Sequence, residues 1–167
     1  MDFKRYPAER LLIDSIASRL TTTENAMRRS LMDAIIDAAK PVNAQELVLE
    51  GTLSPDAPSL LGRLIAKRAV VVDGSGSIQF IYPVSALPTP HRVQLQDGRS
   101  FSAMCAVDAL GAAFTFEQDT TVTSQCSECS EPILVRIQSG RITELHPEAA
   151  HVLHVDLNRV ENWAASC

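Results

Sequence analysis

A cysteine and an aspartate stand three residues apart in the short apolar segment SFSAMCAVDAL, which covers residues 100–110. If the segment is helical, Cys105 and Asp108 are neighbours on the helix surface, so the thiol and the carboxylate can share a proton or a ligand. A helix N-terminus favours the thiolate form of a cysteine, whereas a nearby carboxylate opposes it. The pair would therefore hold a proton between two bases, beside a soft nucleophile. An isolated C-x-x-D pattern is more often a buried structural cysteine with a surface aspartate, so the spacing alone leaves both interpretations open.

Two more cysteines form the C-x-x-C pattern Cys126-Ser-Glu-Cys129, whose spacing suits a metal knuckle or a redox pair. A structural zinc site takes four ligands, and the sequence contains no second C-x-x-C. The other residues that could complete a site stand at no recognisable ligand spacing: His146, His151, His154 and Cys167. A redox pair is expected where a strand leads into a helix, whereas this pattern lies between predicted strands. We therefore interpret it as a turn with auxiliary thiols.

The composition of the chain predicts a folded globular protein. With 167 residues, of which 46% are hydrophobic, the chain is long enough to bury a core. Its formal net charge of -5 opposes the broad basic face that non-specific nucleic-acid binding requires. Charged residues interrupt the apolar residues of the first 20 positions, so neither a signal peptide nor a membrane span is predicted there. We therefore expect a cytoplasmic protein without a membrane partner, in which the four cysteines stay reduced.

In the first half of the chain, apolar residues recur at helical spacing, and one hairpin follows the predicted helices. Helices are predicted over residues 8–20, 27–39, 45–49 and 54–68, with Thr22 or Thr23 as the cap of the second and Ser54-Pro55 opening the fourth. The β-branched and aromatic residues on either side of Asp73-Gly-Ser-Gly predict a β-hairpin, in which Asp-Gly supplies the positive-φ turn. Helices followed by a hairpin are typical of a winged-helix domain. The proline-rich residues 83–90 should break regular structure, and we place the domain boundary there, giving domains 1–85 and 86–167.

The second half alternates in the manner of strands, with one helix among them. A strand is predicted over residues 91–96, ending at Asp97-Gly98, and a helix of about three turns over residues 100–111. Further strands are predicted over residues 120–123, 132–137, 141–145 and 152–157. The fold class is therefore α+β: a winged-helix-like helical domain, then a mixed, mostly antiparallel sheet domain with one packed helix.

The second half also resembles a known family, the organomercurial or alkylmercury lyases. Residues 101–110, FSAMCAVDAL, resemble the W-C-A-x-D-x-L active-site segment of that family. The correspondence continues without a gap through TVTSQC at residues 121–126, Glu131-Pro132 and ILV at residues 133–135, and reaches Pro147. It is specific over roughly residues 91–155, whereas the first half matches only in type, because those enzymes also carry a winged-helix-like domain. The family continues past the position of Cys167, so the resemblance implies a catalytic domain without its C-terminal part.

The resemblance implies cleavage of a carbon–mercury bond by protonolysis, which releases a hydrocarbon and Hg(II). Carried over by position, Cys105 is the thiolate that captures the organomercurial, Asp108 handles the proton, and Cys167 is the second catalytic cysteine. These three residues would also hold the substrate or product mercury, and Cys126 matches a structural cysteine. Soft mercury favours thiolates, and two thiolates weaken its bond to carbon while a nearby acid protonates that carbon. No cofactor is required; external thiols assist, and Hg(II) passes to a mercuric reductase or to cellular thiols.

Two other functions stay open at the level of sequence. The first is a winged-helix transcriptional regulator whose cysteine-bearing domain senses a thiophilic metal or an oxidant, with Arg63, Lys67 and Arg68 facing DNA phosphates. Such charges more often serve only solubility, and acidic residues stand nearby. The second is a catalytically silent relative that only binds Hg(II) or Zn(II).

Overall fold

The computed structural model describes residues 16–51 and 53–153 of the chain, and its longest helix, α1, covers Thr22–Ala38. Thr21 caps this helix: its side chain accepts the amide hydrogen of Glu24, whose carboxylate accepts the amide hydrogen of Thr21 in return. The cap therefore lies one residue before Thr22 and two before Thr23, the predicted caps, because among these three threonines only Thr21 has a glutamate three residues later. The apolar residues that predicted the helix, including Met27, Leu31 and Ile35, are buried.

Two shorter helices follow α1, and an ion pair ties the second of them to it. Strand β1 is Val42–Asn43, helix α2 is Ala44–Leu49, and helix α3 is Ala57–Ala66. The helix α3 begins at Ala57 instead of Ser54, with Asp56 as its N-cap and a proline in its first turn. The buried carboxylate of Glu24 accepts a hydrogen bond from Lys67 Nζ at 2.7 Å and faces Arg63 Nε at 3.4 Å. The hydrogen bond from Lys67, followed by that from the Thr21 amide, lowers the pKa of Glu24 to about 2.

The predicted hairpin is present as strands β2, Val70–Val72, and β3, Ser77–Ile81, which pair antiparallel. Its turn differs from the prediction, because the positive φ falls on Gly76, at 83°, and not on Gly74. Asp73 determines this shape: its Oδ1 accepts the amide hydrogens of Ser75 at 2.9 Å and Ser77 at 3.0 Å. The order of helices and hairpin is thus as predicted, and its assignment to a winged-helix domain stays a prediction.

The remaining elements form most of a large sheet with one helix. The strands are β4 Val84–Ser85, β5 Arg92–Leu95, β6 Ser100–Ala103, β7 Thr120–Gln125, β8 Pro132–Gln138 and β9 Arg141–His146, and the helix is α4 Ala106–Phe116. The order along the sheet is β1-β3-β4-β6-β5-β7-β8-β9, with β2 pairing β3 from the side. Every strand pair within the described residues is antiparallel. The protein is therefore an α+β fold with a large antiparallel sheet and a few helices.

The sheet continues through the proline-rich segment, where the sequence predicts a break in regular structure. Between the prolines at 83 and 88, Val84 pairs with Ile81 of β3 on one side and with Ala103 of β6 on the other. Val84 is fully buried, so this short strand is part of the core. The prediction of irregular structure over residues 83–90 is wrong at β4, because the prolines flank the paired residues and leave their amides intact. The division into domains 1–85 and 86–167 stays a prediction.

The segment that was predicted as a helix over residues 100–111 contains a strand and then a helix. The Asp97-Gly98 turn returns the chain as strand β6, with the amide of Leu95 donating to the carbonyl of Arg99 at 2.9 Å. Strand β6 lies between β4 and β5, and most of its residues are buried, so it shows no alternation that would distinguish it from a helix. The helix begins only at Ala106 and passes the predicted end at Gly111 to reach Phe116.

Helix α4 packs on the face formed by β5, β6 and β7. It buries three alanines, Ala109, Ala112 and Ala113, and the ring of Phe116 contacts that of Phe101 in β6, with the ring centroids 5.4 Å apart. Small residues let the helix approach the sheet closely, so its N-terminal end is held against the end of β6.

Two sequence predictions fall partly outside the described residues. The helix predicted over residues 8–20 is described only from Ile16, where a 3-10 turn covers Ala17–Arg19. The strand predicted over residues 152–157 is described only at Val152 and Leu153, which are not in a strand. Within the described residues, none of the helices is long and apolar enough to cross a membrane.

Candidate active site

Cys105 stands where the sheet passes into helix α4. It follows the end of β6 by two residues and is the N-cap of α4, with an extended backbone and a carbonyl that accepts the amide hydrogen of Ala109 at 2.9 Å. Its side chain is half-buried. The partial positive charge of the helix N-terminus favours negative charge at this position. The fold therefore places the Cys105 sulfur at the positive end of the α4 dipole.

Asp108 lies in the first turn of α4 and directly contacts Cys105. The Cys105 Sγ donates a hydrogen bond to Asp108 Oδ2 at 3.2 Å, and the carboxylate is half-buried. The two residues are neighbours as the sequence predicts, although through an N-cap and first-turn geometry and not within a helix that already covers Cys105. A thiol that donates to a carboxylate has an acceptor for its proton at hand, so the pair can ionise and transfer a proton in one contact.

The residues just before Cys105 are fixed on both sides by the backbone. The amide of Ala103 donates to the carbonyl of His91 at 2.8 Å, and the hydroxyl of Thr89 donates to the carbonyl of Ala103 at 2.6 Å. The amide of Met104 donates to the carbonyl of Pro83 at 3.2 Å. These bonds position the end of β6, and with it the direction in which Cys105 presents its sulfur.

Arg28 is a residue of this neighbourhood that the sequence analysis missed. It comes from α1, is 6% exposed, and donates from Nε to the carbonyl of Tyr82 at 3.1 Å, with Nη2 bonded to the same oxygen. Burial, reinforced by the charge of Arg29, lowers the pKa of Arg28 to about 10, and the negative charge of Asp108 acts in the opposite direction. Arg28 is therefore a buried cation that acts electrostatically on Asp108 and holds the segment leading to Pro83.

A signal for Arg28 was present in the sequence. The position precedes Leu31 by three residues and Ile35 by seven, so it lies on the apolar face of α1. An arginine on such a face is buried only when it is paired or hydrogen-bonded, which makes it a candidate for a specific role.

The other sequence candidates divide into two groups. Cys126 and Cys129 lie in the turn between β7 and β8, and neither is in a disulfide. Cys167 and His154 lie outside the described residues, so the pairing of Cys167 with Cys105 stays a prediction. His146 and His151 are exposed. Across residues 16–51 and 53–153, no group of three or more His, Cys, Asp or Glu side chains could hold a metal ion.

Comparisons with known proteins point to one family. A family model described as "MerB: Alkylmercury lyase" matches residues 84–167, the part of the chain that carries β4 to β9 and the Cys105–Asp108 pair. No curated protein matches the chain. A solved structure described as "Crystal structure of the mercury-bound form of MerB2" is similar, with a TM-score of 0.59 and 22% sequence identity. The similarity covers 80% of this chain and 64% of that chain, and at this identity it supports the fold alone.

The resemblance that the sequence analysis found at residues 91–155 is thereby confirmed at the level of the family. The catalytic roles of Cys105, Asp108 and Cys167 are not tested by these comparisons and stay predictions. Because the family model covers residues 84–167, which are 84 of the 167 residues, this chain belongs to the alkylmercury lyase family.

Proposed function

We propose that this chain cleaves carbon–mercury bonds by protonolysis, releasing a hydrocarbon and Hg(II). The observation that carries the proposal is the hydrogen bond from Cys105 Sγ to Asp108 Oδ2 at 3.2 Å, at the start of α4 within the family-matched residues. A soft sulfur ligand and a proton carrier in contact are the two groups that the reaction needs. The substrate is a small organomercurial, and no resident cofactor is part of the proposal.

In this mechanism the proton passes from Cys105 to carbon by way of Asp108. As the Cys105 sulfur displaces a thiolate from an R–Hg(II) substrate, its proton moves to the Asp108 carboxylate. Protonated Asp108 then gives this proton to the carbon, the electron pair of the carbon–mercury bond stays with the carbon, and the hydrocarbon leaves. Mercury stays as Hg(II) on Cys105 and a second thiolate. The reaction requires no external oxidant or reductant, because the proton replaces Hg(II) on the carbon and the bonding electron pair stays with that carbon.

The second thiolate comes from Cys167 or from an external thiol. Two sulfur ligands on mercury weaken its remaining bond to carbon, so the second thiolate should accelerate protonation. External thiols, a mercuric reductase or other cellular thiols would accept the Hg(II) afterwards. A cytoplasmic location, where such thiols stay reduced, is part of the proposal.

Hydrocarbon release tests this function. Incubation with methylmercury and excess thiol should give methane, measured by gas chromatography of the headspace, and the Cys105→Ser variant should give none above the protein-free background. Equal methane from the wild type and the Cys105→Ser variant would remove Cys105 from the mechanism. Stoichiometric uptake of separately added mercuric chloride, with no methane from methylmercury, would instead identify the silent metal-binding relative.

The regulator alternative receives no specific support from the described residues. Two of its three basic residues on α3 and its end, Arg63 and Lys67, face the buried carboxylate of Glu24. That pairing gives them a role in joining α1 to α3, without any need for a nucleic-acid partner.

A further inference from the structure

The turn between β7 and β8 holds Cys126 and Cys129 in a closed backbone ring. The amide of Cys126 donates to the carbonyl of Glu131 at 2.9 Å, and the amide of Ser130 donates to the carbonyl of Cys126 at 2.9 Å. Ser130 has a positive φ of 60°, which reverses the chain within this ring. Cys126 is half-buried and Cys129 is exposed. The pair is thus built into a fixed turn with one sulfur accessible from outside.

The two side chains of this turn are oriented toward each other. The backbone amides of Cys129 and Glu128 donate hydrogen bonds to the Cys126 sulfur, and the Cys129 side chain is hydrogen-bonded to it as well. The two sulfurs of the turn are therefore neighbours, close enough for one metal ion to bridge them.

Two sulfurs without a third ligand restrict which cation the turn can hold. No cluster of three or more potential ligands exists among residues 16–51 and 53–153, whereas zinc in a structural site takes four. A soft ion that is satisfied by two thiolates in a linear arrangement fits a pair, and Hg(II) is such an ion. Within the described residues, the number of ligands at the turn therefore suits Hg(II) and not a structural zinc ion.

The pair also lies at the same end of the strands as Cys105, where β6 and β7 both leave the sheet. Ser102 of β6 and Thr123 of β7 are both paired with Arg92 of β5, so β6 and β7 run in the same direction on either side of β5. Cys105 and Cys126 each follow these paired residues by three positions. Because neighbouring strands are about 5 Å apart, the two chain segments leave the sheet roughly 10 Å from each other.

We propose that Cys126 and Cys129 form a dithiol site for Hg(II). Binding is a ligand exchange: Hg(II) held by two monothiolates is transferred to the two cysteine sulfurs, and the two cysteine protons leave with the displaced monothiolates as two thiols. Nothing is oxidised or reduced. A role of this site in accepting the Hg(II) released at Cys105 rests on the proposed lyase function, whereas binding itself does not.

The test uses the full chain with Cys105→Ser and Cys167→Ser, which leaves only the two cysteines of the turn among its four. The protein is equilibrated with mercuric chloride and a tenfold excess of a monothiol, then separated from free ligand, and its mercury is measured. The expected result is about one Hg(II) per chain, because two linked thiols act at an effective concentration in the millimolar range or above. Adding Cys129→Ser or Cys129→Ala should lower retained mercury at least about tenfold, whereas Ser127→Ala in the same turn should not change it.

Two results would overturn the dithiol site: no mercury retained by the chain with both cysteines, or equal retention after Cys129 is replaced. Exposed Cys129 is replaced in two ways so that one poorly folded variant does not decide the outcome, and circular dichroism checks both. No organomercurial enters the experiment. A chain that releases hydrocarbon but fails this test keeps the proposed function and loses the dithiol site.

Discussion

At the scale of single residues, the chemistry of this chain depends on where the proton of Cys105 goes. In the proposed mechanism the Cys105 sulfur captures the substrate, and Asp108, which accepts its hydrogen bond, delivers the proton. Asp108→Asn keeps the size of the side chain but cannot carry the proton, so the two steps should separate. We expect Asp108→Asn to form the Cys105–mercury adduct, seen by mass spectrometry, while hydrocarbon release falls by about 100-fold or more. Release within about threefold of the wild type would exclude Asp108 as the proton carrier.

A second prediction at this scale concerns Arg28, which acts through other residues. It holds the Tyr82 carbonyl beside Pro83, whose own carbonyl holds Met104, and its charge acts on Asp108. Arg28→Met removes both the charge and the hydrogen bonds, whereas Arg28→Lys keeps the charge. We expect hydrocarbon release to decrease from wild type to Arg28→Lys to Arg28→Met, with kcat for the last lower on the order of tenfold, or about 1.4 kcal/mol in the barrier.

The control for Arg28 is its neighbour Arg29, which is exposed and faces Glu117 at 3.5 Å. Arg29→Met should leave hydrocarbon release within about twofold, since exposed ion pairs contribute little. Steady-state measurement of kcat and KM, alongside thermal unfolding, separates a positioning role from a loss of stability. If Arg28→Met loses stability but keeps the wild-type kcat, Arg28 is only a structural residue.

At the scale of elements, the Glu24 carboxylate joins α1 to α3 and should make stability depend on pH. Its pKa is lowered from 4.5 to about 2 by hydrogen bonds from Lys67 and Thr21. A carboxylate with a depressed pKa in the folded state stabilises the fold fully above pH 4.5, and that contribution is lost as the pH falls toward 2. The difference in unfolding free energy between wild type and Glu24→Gln should therefore shrink over this interval, measured by urea denaturation. Lys67→Met should also reduce this change of stability with pH. A difference in unfolding free energy between wild type and Glu24→Gln that does not vary with pH would contradict the pairing.

The helices and strands show which elements a sequence pattern predicts well. Helix α1, the β2–β3 hairpin and strands β7, β8 and β9 were predicted because each has a clear period and turn residues at its ends. Strand β6 was predicted as helix, because a strand buried between two others shows no alternation. Strand β4 was missed because its two residues stand between prolines and acquire their strand character only from pairing with β3 and β6.

The same distinction applies to the candidate site. The contact between Cys105 and Asp108 is local, three residues apart, and the spacing already indicated that the two side chains could meet if the segment were helical. The contact of Arg28 with the Tyr82 carbonyl joins positions 54 residues apart, and the position of Cys105 and Cys126 at the same end of the strands depends on strand order. Neither follows from a local pattern, because both arise from how the elements pair in the sheet.

At the scale of the whole molecule, the sheet connects the two halves of the chain. Strand β4 pairs with β3 and β6, and Arg99 in the turn between β5 and β6 bonds to Asp33 of α1 at 2.6 Å. We expect the described region to unfold in one transition. Val84→Ala should lower the free energy of unfolding by about 2 kcal/mol. The unfolding midpoint followed by the helical circular dichroism signal and the exchange protection of the β5 and β7 amides should then decrease together. Separate shifts of the two probes would indicate independently folding halves.

Protonolysis at the Cys105–Asp108 pair can be followed through the fate of the transferred proton in heavy water. In D₂O the exchangeable hydrogens of the thiol and the carboxylate become deuterium, so phenylmercury with excess thiol should give benzene that carries one deuterium, identified by mass spectrometry. We expect singly deuterated benzene from the wild type and none above background from Cys105→Ser. Absence of benzene from the wild type, or benzene without deuterium, would contradict protonolysis at this pair.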